Sequence, residues 1–271
     1  MFDSHCHLDL AAFDDDRSAM LARARAAGVT RMLVPATRPR SWPKLLELAR
    51  AEAATGVTIA LGVHPQCVPA LDPTERAALA ETRIDRTLHD ALDAAGPLAV
   101  AVGECGLDGG TADRDEQVRI LRAQVRVARD RRLPLIVHVL RAHGEMPRLL
   151  RECGVTACGG VLHSYSGGAA LVPIYRDLGL HFSFAGPVTY PGARRPLDAA
   201  RAVPDELLLA ETDAPDQAPA PHQGGRSEPA QLPHVLAGLA AARGVSVDEI
   251  AALTTRNATR LLAPRVVPVC D

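Results

Sequence analysis

Eight short apolar runs, each followed by an amphipathic stretch, alternate from one end of the chain to the other, and this rhythm narrows the possible folds more than any other feature. The runs predict strands at residues 2–5, 31–34, 57–63, 98–103, 135–138, 160–163, 180–184 and 207–211. Continuous apolar runs suit strands buried on both faces, the condition of a parallel sheet covered by crossover helices. The intervening stretches predict helices at 16–27, 41–54, 73–95, 114–132, 143–152, 168–178 and 194–202. Two more follow the last strand, one near 230–243 and one opened by the Ser246/Glu249 capping box. Asp72-Pro73-Thr74-Glu75 is a helix start, and Gly28, Gly56, Gly96 and Gly179 stand before strands, where a preceding helix needs a left-handed residue. Eight alternations within 271 residues predict one domain, 1–271, of the α/β class: a (β/α)8 TIM barrel, with an open doubly wound sheet as the fallback.

A barrel gathers the C-terminal ends of its strands at one mouth. Metal-type residues stand at five of those ends: His5 and His7, Glu104, His138, His163 and Asp213. If residues 2–7 form a strand, its period of two puts His5 and His7 on one face. One histidine ending an apolar strand is ordinarily a hydrogen-bonded core residue. Four imidazoles and two carboxylates buried together with nothing to balance them would be costly, so the set predicts metal ligation. Nitrogen and carboxylate donors suit Zn²⁺ or Mn²⁺, with enough of them for two ions if one carboxylate bridges. Many barrel hydrolases bridge with a carbamylated lysine. The only lysine here, Lys44, falls in a predicted helix, so Glu104 is the expected bridge. That scarcity also removes a phosphate-loop lysine, and no Gly-rich dinucleotide fingerprint follows a strand.

Net charge of −2 gives no general attraction for a phosphate backbone, and 3% aromatics leave little for stacking bases. No apolar run is long enough to span a bilayer. Six cysteines (Cys6, Cys67, Cys105, Cys153, Cys158, Cys270) without a C-x-x-C pair, and no signal sequence, predict reduced thiols and a cytoplasmic protein. The arginine stripe Arg119, Arg122, Arg126 and Arg129 is expected on a solvated outer face.

Several blocks carry a family resemblance: Asp3-Ser4-His5-Cys6-His7-Leu8-Asp9, Leu61-Gly62-Val63-His64-Pro65, Val102-Gly103-Glu104-Cys105-Gly106-Leu107-Asp108, Leu133-Pro134-Leu135-Ile136-Val137-His138, Leu162-His163-Ser164-Tyr165-Ser166-Gly167-Gly168 and Leu209-Ala210-Glu211-Thr212-Asp213-Ala214-Pro215. In this order, from Met1 to about Ala263, they resemble the TatD family of metal-dependent hydrolases and deoxyribonucleases. Thr189-Tyr190-Pro191 and Asp216 are similar to its YjjV-like branch. The resemblance implies a barrel with two divalent ions (Zn, Mn or Mg), one taking His5, His7, Glu104 and Asp213, the other Glu104, His138 and His163. It puts His64 beside the ions without ligating them, and implies 3′-to-5′ exonuclease activity on DNA, with RNA or D-aminoacyl-tRNA as further substrates. Three departures stand out: Val139-Leu140 after His138, Ser227 in Arg226-Ser227-Glu228-Pro229, and Gly109-Gly110 after the Gly-Leu-Asp.

The expected mechanism is attack by a metal-activated water, with Glu104 and Asp213 catalytic and Asp213 accepting the proton. His64, Arg141 and Arg226 are the candidate substrate contacts. Rival readings are a barrel hydrolase of a small ester, amide or phosphoester, and a metal-dependent binding protein. A PHP-type phosphoesterase would carry Asp-x-His near the end, where this chain has Asp213-Ala214-Pro215.

Overall fold

A computed structural model describes residues 1–262. Cys270 and the end of the expected domain lie outside them. The eight expected strands are all present: β1 Phe2–Asp3, β2 Arg31–Pro35, β3 Val57–Leu61, β4 Ala99–Asp108, β5 Leu135–Leu140, β6 Gly160–Leu162, β7 Leu180–Phe184 and β8 Leu208–Ala210. They pair in parallel, each with the next in sequence. Backbone bonds tie the loops leaving β1 and β8, Ser4 N–H to Ala210 O (3.1 Å), Asp213 N–H to His5 O (2.9 Å) and His7 N–H to Ala214 O (2.7 Å), so the barrel is nearly closed.

The strand period of two sorts the side chains into two layers. Leu33, Ala60, Ile136, Val161 and Leu209 fill the interior with Phe2, while Met32, Val34, Ile59, Leu61 and Val137 join the layer beneath the helices. The helices are α1 Arg17–Ala26, α2 Trp42–Ala51, α3 Pro73–Ala78, α4 Ile84–Ala95, α5 Arg114–Arg131, α6 Met146–Cys153, α7 Val172–Arg176, α8 Arg194–Ala202, α9 Leu232–Arg243 and α10 Val247–Leu261. Ala258 and Leu262, at the end of α10, complete the interior cluster.

Several expectations change. Residues 73–95 form two helices, because the C-terminal carbonyls of α3 are taken by side chains from elsewhere: Thr87 Oγ1 donates to Ala78 O (2.8 Å) and Arg119 to Leu79 O (2.7 Å). The segment 168–178 yields only the short α7 after a 3₁₀ turn. The α5 arginines are not merely solvated: Arg126 pairs with Asp85 of α4 (2.9 Å), and Arg122 with Glu152 of α6 (3.0 Å), tying neighbouring helices together. Gly28, Gly56 and Gly179 have positive φ as expected; Gly96, also positive at 56°, lies outside the left-handed helical well.

One further change positions the site. Strand β4 runs to Asp108 rather than stopping at Gly103, so Glu104 sits inside it. The register on β5 slips between Val102 and Cys105, three steps on β4 against two on β5. This bulge resets the alternation: Ala101 faces the interior, Val102 and Cys105 join the helix-side layer, and Glu104 can turn inward. Gly106 is needed opposite, since a Cβ there would stand 2.0 Å from the carbonyl oxygen of His138.

Candidate metal centre

Six ligand candidates from five strand ends, with His64, converge at the mouth. His5 and His7 are not on one strand face, because β1 stops at Asp3; the loop beyond it turns both rings inward, and their Nε2 atoms stand 3.2 Å apart. Glu104 Oε2 lies 3.2 Å from His5 Nε2 and 3.5 Å from His7 Nε2, and Asp213 Oδ1 lies 3.6 and 3.7 Å from the same two nitrogens. The other carboxylate oxygen, Oε1, lies 2.8 Å from His163 Nε2, 2.8 Å from His64 Nε2 and 3.2 Å from His138 Nδ1. Ligands about 2.0–2.2 Å from a shared tetrahedral ion stand roughly 3.3–3.6 Å apart, so the spacing of the first set fits a divalent metal.

A hydrogen-bonded cluster would not leave its central acid as this one is left. Glu104 is fully buried, yet neither of its oxygens has a hydrogen-bond donor in line, although five imidazoles crowd around it. Donor atoms aimed past one another at common points fit metal coordination, and two overlapping triads, His5 with Glu104 and His163 and His5 with His7 and Asp213, bring ligand atoms close enough to hold an ion.

Electrostatics match that reading. Burial lowers the pKa of His5 and His7, helped by neighbouring imidazoles, and His7 falls to about 4; both rings are therefore neutral with free lone pairs. Burial alone would raise Glu104, but His163, His64 and His5 outweigh it and hold the carboxyl well below its ordinary range. His163 runs the other way: burial opposes its charge, and Glu104 and Glu211 overcome burial. Asp213 is pushed well up by burial, despite His163.

Outer contacts set the rings. Glu211 Oε1 lies 3.4 Å from His163 Nδ1 and accepts the Ser164 N–H (2.6 Å). Asp108 Oδ2 faces His138 Nε2 at 3.3 Å, which leaves Nδ1 turned to Glu104. Gln217 donates its amide to Asp213 Oδ2 and accepts from Ser164 Oγ (2.8 Å), so the amide cannot flip without losing both bonds. Asp3 accepts from Thr212 N–H (3.0 Å) and Thr212 Oγ1 (2.5 Å), holding the loop of His5 to the loop of Asp213. Sequence reasoning missed these residues. Asp3 and Glu211 do carry a signal, a carboxylate flanking an apolar run two residues from a ligand candidate; Gln217 carries none.

A cavity of about 700 Å³ opens over the donors, lined by His7, His64, Glu104, His138, His163 and Asp213. Arg141 and Arg226 do not line it. Arg226 bonds Asp16 (2.8 Å) and Ala12 O (2.7 Å) and covers Phe13, while Arg141 is exposed in the turn after β5 with φ of 52°. With its guanidinium already engaged, the Arg226→Ala variant is expected to bind a single-stranded oligonucleotide as the parent does, read by fluorescence anisotropy at low salt. A tenfold loss of affinity would bring Arg226 back to the site.

The model of the TatD-related DNase family matches residues 2–263. The chain belongs to that family. As a TatD-like chain it is a metal-dependent hydrolase of ester bonds. The curated relative named uncharacterized metal-dependent hydrolase YabD, of Bacillus subtilis, is 32% identical over 263 residues, covering 96% of this chain and 98% of its own. The 3′-5′ ssDNA/RNA exonuclease TatD of Salmonella typhimurium is 34% identical, covering 96% and 98%. The crystal structure of the TatD homologue YjjV of Escherichia coli superposes with a TM-score of 0.86 at 32% identity, covering 97% of both chains. The TatD barrel is therefore shared along almost the whole length.

Proposed function

We propose that this TatD-family hydrolase is a 3′-to-5′ exonuclease of single-stranded nucleic acid working with two divalent ions, zinc or manganese foremost and magnesium as the alternative. One ion would be held by His5, His7, Glu104 and Asp213, the other by Glu104, His138 and His163. The observation that carries this reading is the division of Glu104, whose two oxygens face different sets of imidazoles with no hydrogen-bond donor in line for either. The choice of nucleic acid rests on relatives named as ssDNA/RNA exonucleases. When bound, the ions supply an acidified water and polarise the phosphoryl oxygen under attack.

The rest falls to the side chains. Asp213, steadied at Oδ2 by Gln217, accepts the proton of the attacking water. His64 takes the Gln66 N–H at Nδ1 (3.0 Å), which assigns its proton to Nε2 and makes that atom a donor at the cavity wall, suited to a phosphate oxygen. Glu211 and Asp108 keep His163 and His138 in one orientation through the reaction. Buried free thiols at Cys6 and Cys105 accord with a reducing cytoplasm.

The test is a 5′-labelled single strand offered to metal-stripped and metal-reloaded protein. Products shortened from the 3′ end, lost with chelator and regained with about two ions per chain, are expected. Intact strands alongside turnover of small phosphodiesters or D-aminoacyl esters would move the assignment to a small-ester hydrolase, and metal binding without any hydrolysis to a binding protein.

A further inference from the structure

Nucleic-acid enzymes that follow a long strand present a track of cations, and this cavity has none. Among the described residues, the cavity over the metal-type donors is lined by one arginine, Arg195, in the first turn of α8, and by no lysine. Most arginines of this chain are spent in pairs, as Arg23 is on Glu228, Arg38 on Glu75 and Arg114 on Glu145. Among the described residues, Arg195 has neither an ion-pair nor a hydrogen-bond partner, although it is exposed and long enough to reach one.

Its direction is marked by its neighbours. A Cβ added to Gly168 would stand 4.0 Å from Arg195 Nε, and the guanidinium charge is felt by both His143 and Tyr165. The side chain therefore lies over the loop that starts at His163, one wall away from the donor set. The polar groups of that wall are already committed to each other. His143 bonds Tyr175 Oη (2.9 Å) and Ser166 Oγ (3.1 Å), Ser166 donates to Val139 O (2.9 Å), and Tyr165 Oη donates to Gly168 O (3.0 Å). An anion arriving there meets one uncommitted donor group, the Arg195 fork. The cavity also carries Asp216, exposed and without an ion pair, which repels any further phosphate.

We propose that Arg195 is a subsite for a single phosphate next to the scissile one, and that a single strand of two or three nucleotides already makes every contact the protein offers, so that nothing is gained from a longer strand. This rests on the exonuclease reading above and deepens it. One fork-shaped cation in a cavity of about 700 Å³ matches a fragment's end, whereas a long strand needs a continued positive groove and stacking rings.

The experiment compares a dinucleoside monophosphate, a trinucleoside diphosphate and a strand of about twenty nucleotides. With metal-loaded protein, KM is expected to fall about tenfold from the first to the second and to stay level for the third. In Arg195→Ala that gain disappears while kcat on the dinucleoside monophosphate is unchanged, and Arg195→Lys recovers part of it. The salt dependence of trinucleoside binding should lose about 0.7 in logarithmic slope in the alanine variant. A KM that keeps falling with length, or a tenfold gain that survives in Arg195→Ala, overturns the proposal. Calorimetric binding of the same three compounds to chelated protein reads the subsite without catalysis. The expected pattern there with no cleavage of any compound defeats the exonuclease reading and leaves the phosphate subsite standing; its absence defeats the subsite whatever the cleavage assay gives.

Discussion

Glu104→Ala is expected to abolish hydrolysis and to strip both ions from the protein together. The carboxylate is fully buried, and it is the one group whose oxygens reach both donor sets, Oε2 toward His5 and His7 and Oε1 toward His64, His138 and His163. Its loss takes one ligand from each set. It also leaves five imidazoles facing one another without the anion that balances cations placed among them. Removing an orienting outer contact typically costs 10–100-fold in affinity or activity, so removing the shared ligand is expected to cost more than about 10³-fold in kcat/KM. Metal content per chain by plasma mass spectrometry checks the first part, and turnover at saturating Mn²⁺ the second. Glu104→Gln separates charge from volume: it keeps the shape and should fail nearly as badly. Full turnover by the alanine variant would remove the bridge from the scheme.

Asp213→Asn should trade activity for stability. On the proposal that Asp213 is proton acceptor and ligand, its loss is expected to lower kcat by about 10²–10⁴-fold. The gain follows from its titration in the metal-free protein, where burial holds the carboxyl well above its ordinary pKa. A raised carboxyl pKa favours the protonated folded form; its stabilising contribution is intact below the unfolded-state value and is lost as pH rises through the folded one. Asparagine carries no such penalty. In chelator-treated protein the variant's thermal midpoint should therefore exceed the parent's at about pH 8, and the difference should vanish at about pH 3. Metal binding reverses the order, because the ion repays the ionised carboxylate. Equal midpoints at both pH values without metal would mean that the Asp213 carboxylate is solvated.

The strands were legible because each is a local apolar run, and the ligand candidates because a barrel turns strand order into spatial proximity. Residues 180–184 and 194–202 came out at the boundaries the periodicity predicts. Where boundaries moved, a distant partner had intervened. The break between α3 and α4 depends on Arg119, forty residues downstream of the Leu79 carbonyl it caps. Glu104 was expected just after its strand and instead sits within it at a bulge, for which Gly103 is the one local sign in Val102-Gly103-Glu104-Cys105. His5 and His7 were paired on the assumption of a strand, yet the pairing comes from a loop stapled to β8 by Asp3 and Thr212.

From the sequence alone came the barrel and the inventory of metal-type donors, since each follows from residue type and period. Which atom of each donor faces which, that Gln217 steadies Asp213, and that Arg195 lines the cavity while Arg226 is held by Asp16 were decided by the tertiary structure. The physical reason is range: burial patterns repeat within a few residues and are written locally, whereas hydrogen-bond direction depends on how the folded loops face one another, and the fate of a long cationic side chain can rest on a partner as far off in sequence as Asp16 is from Arg226.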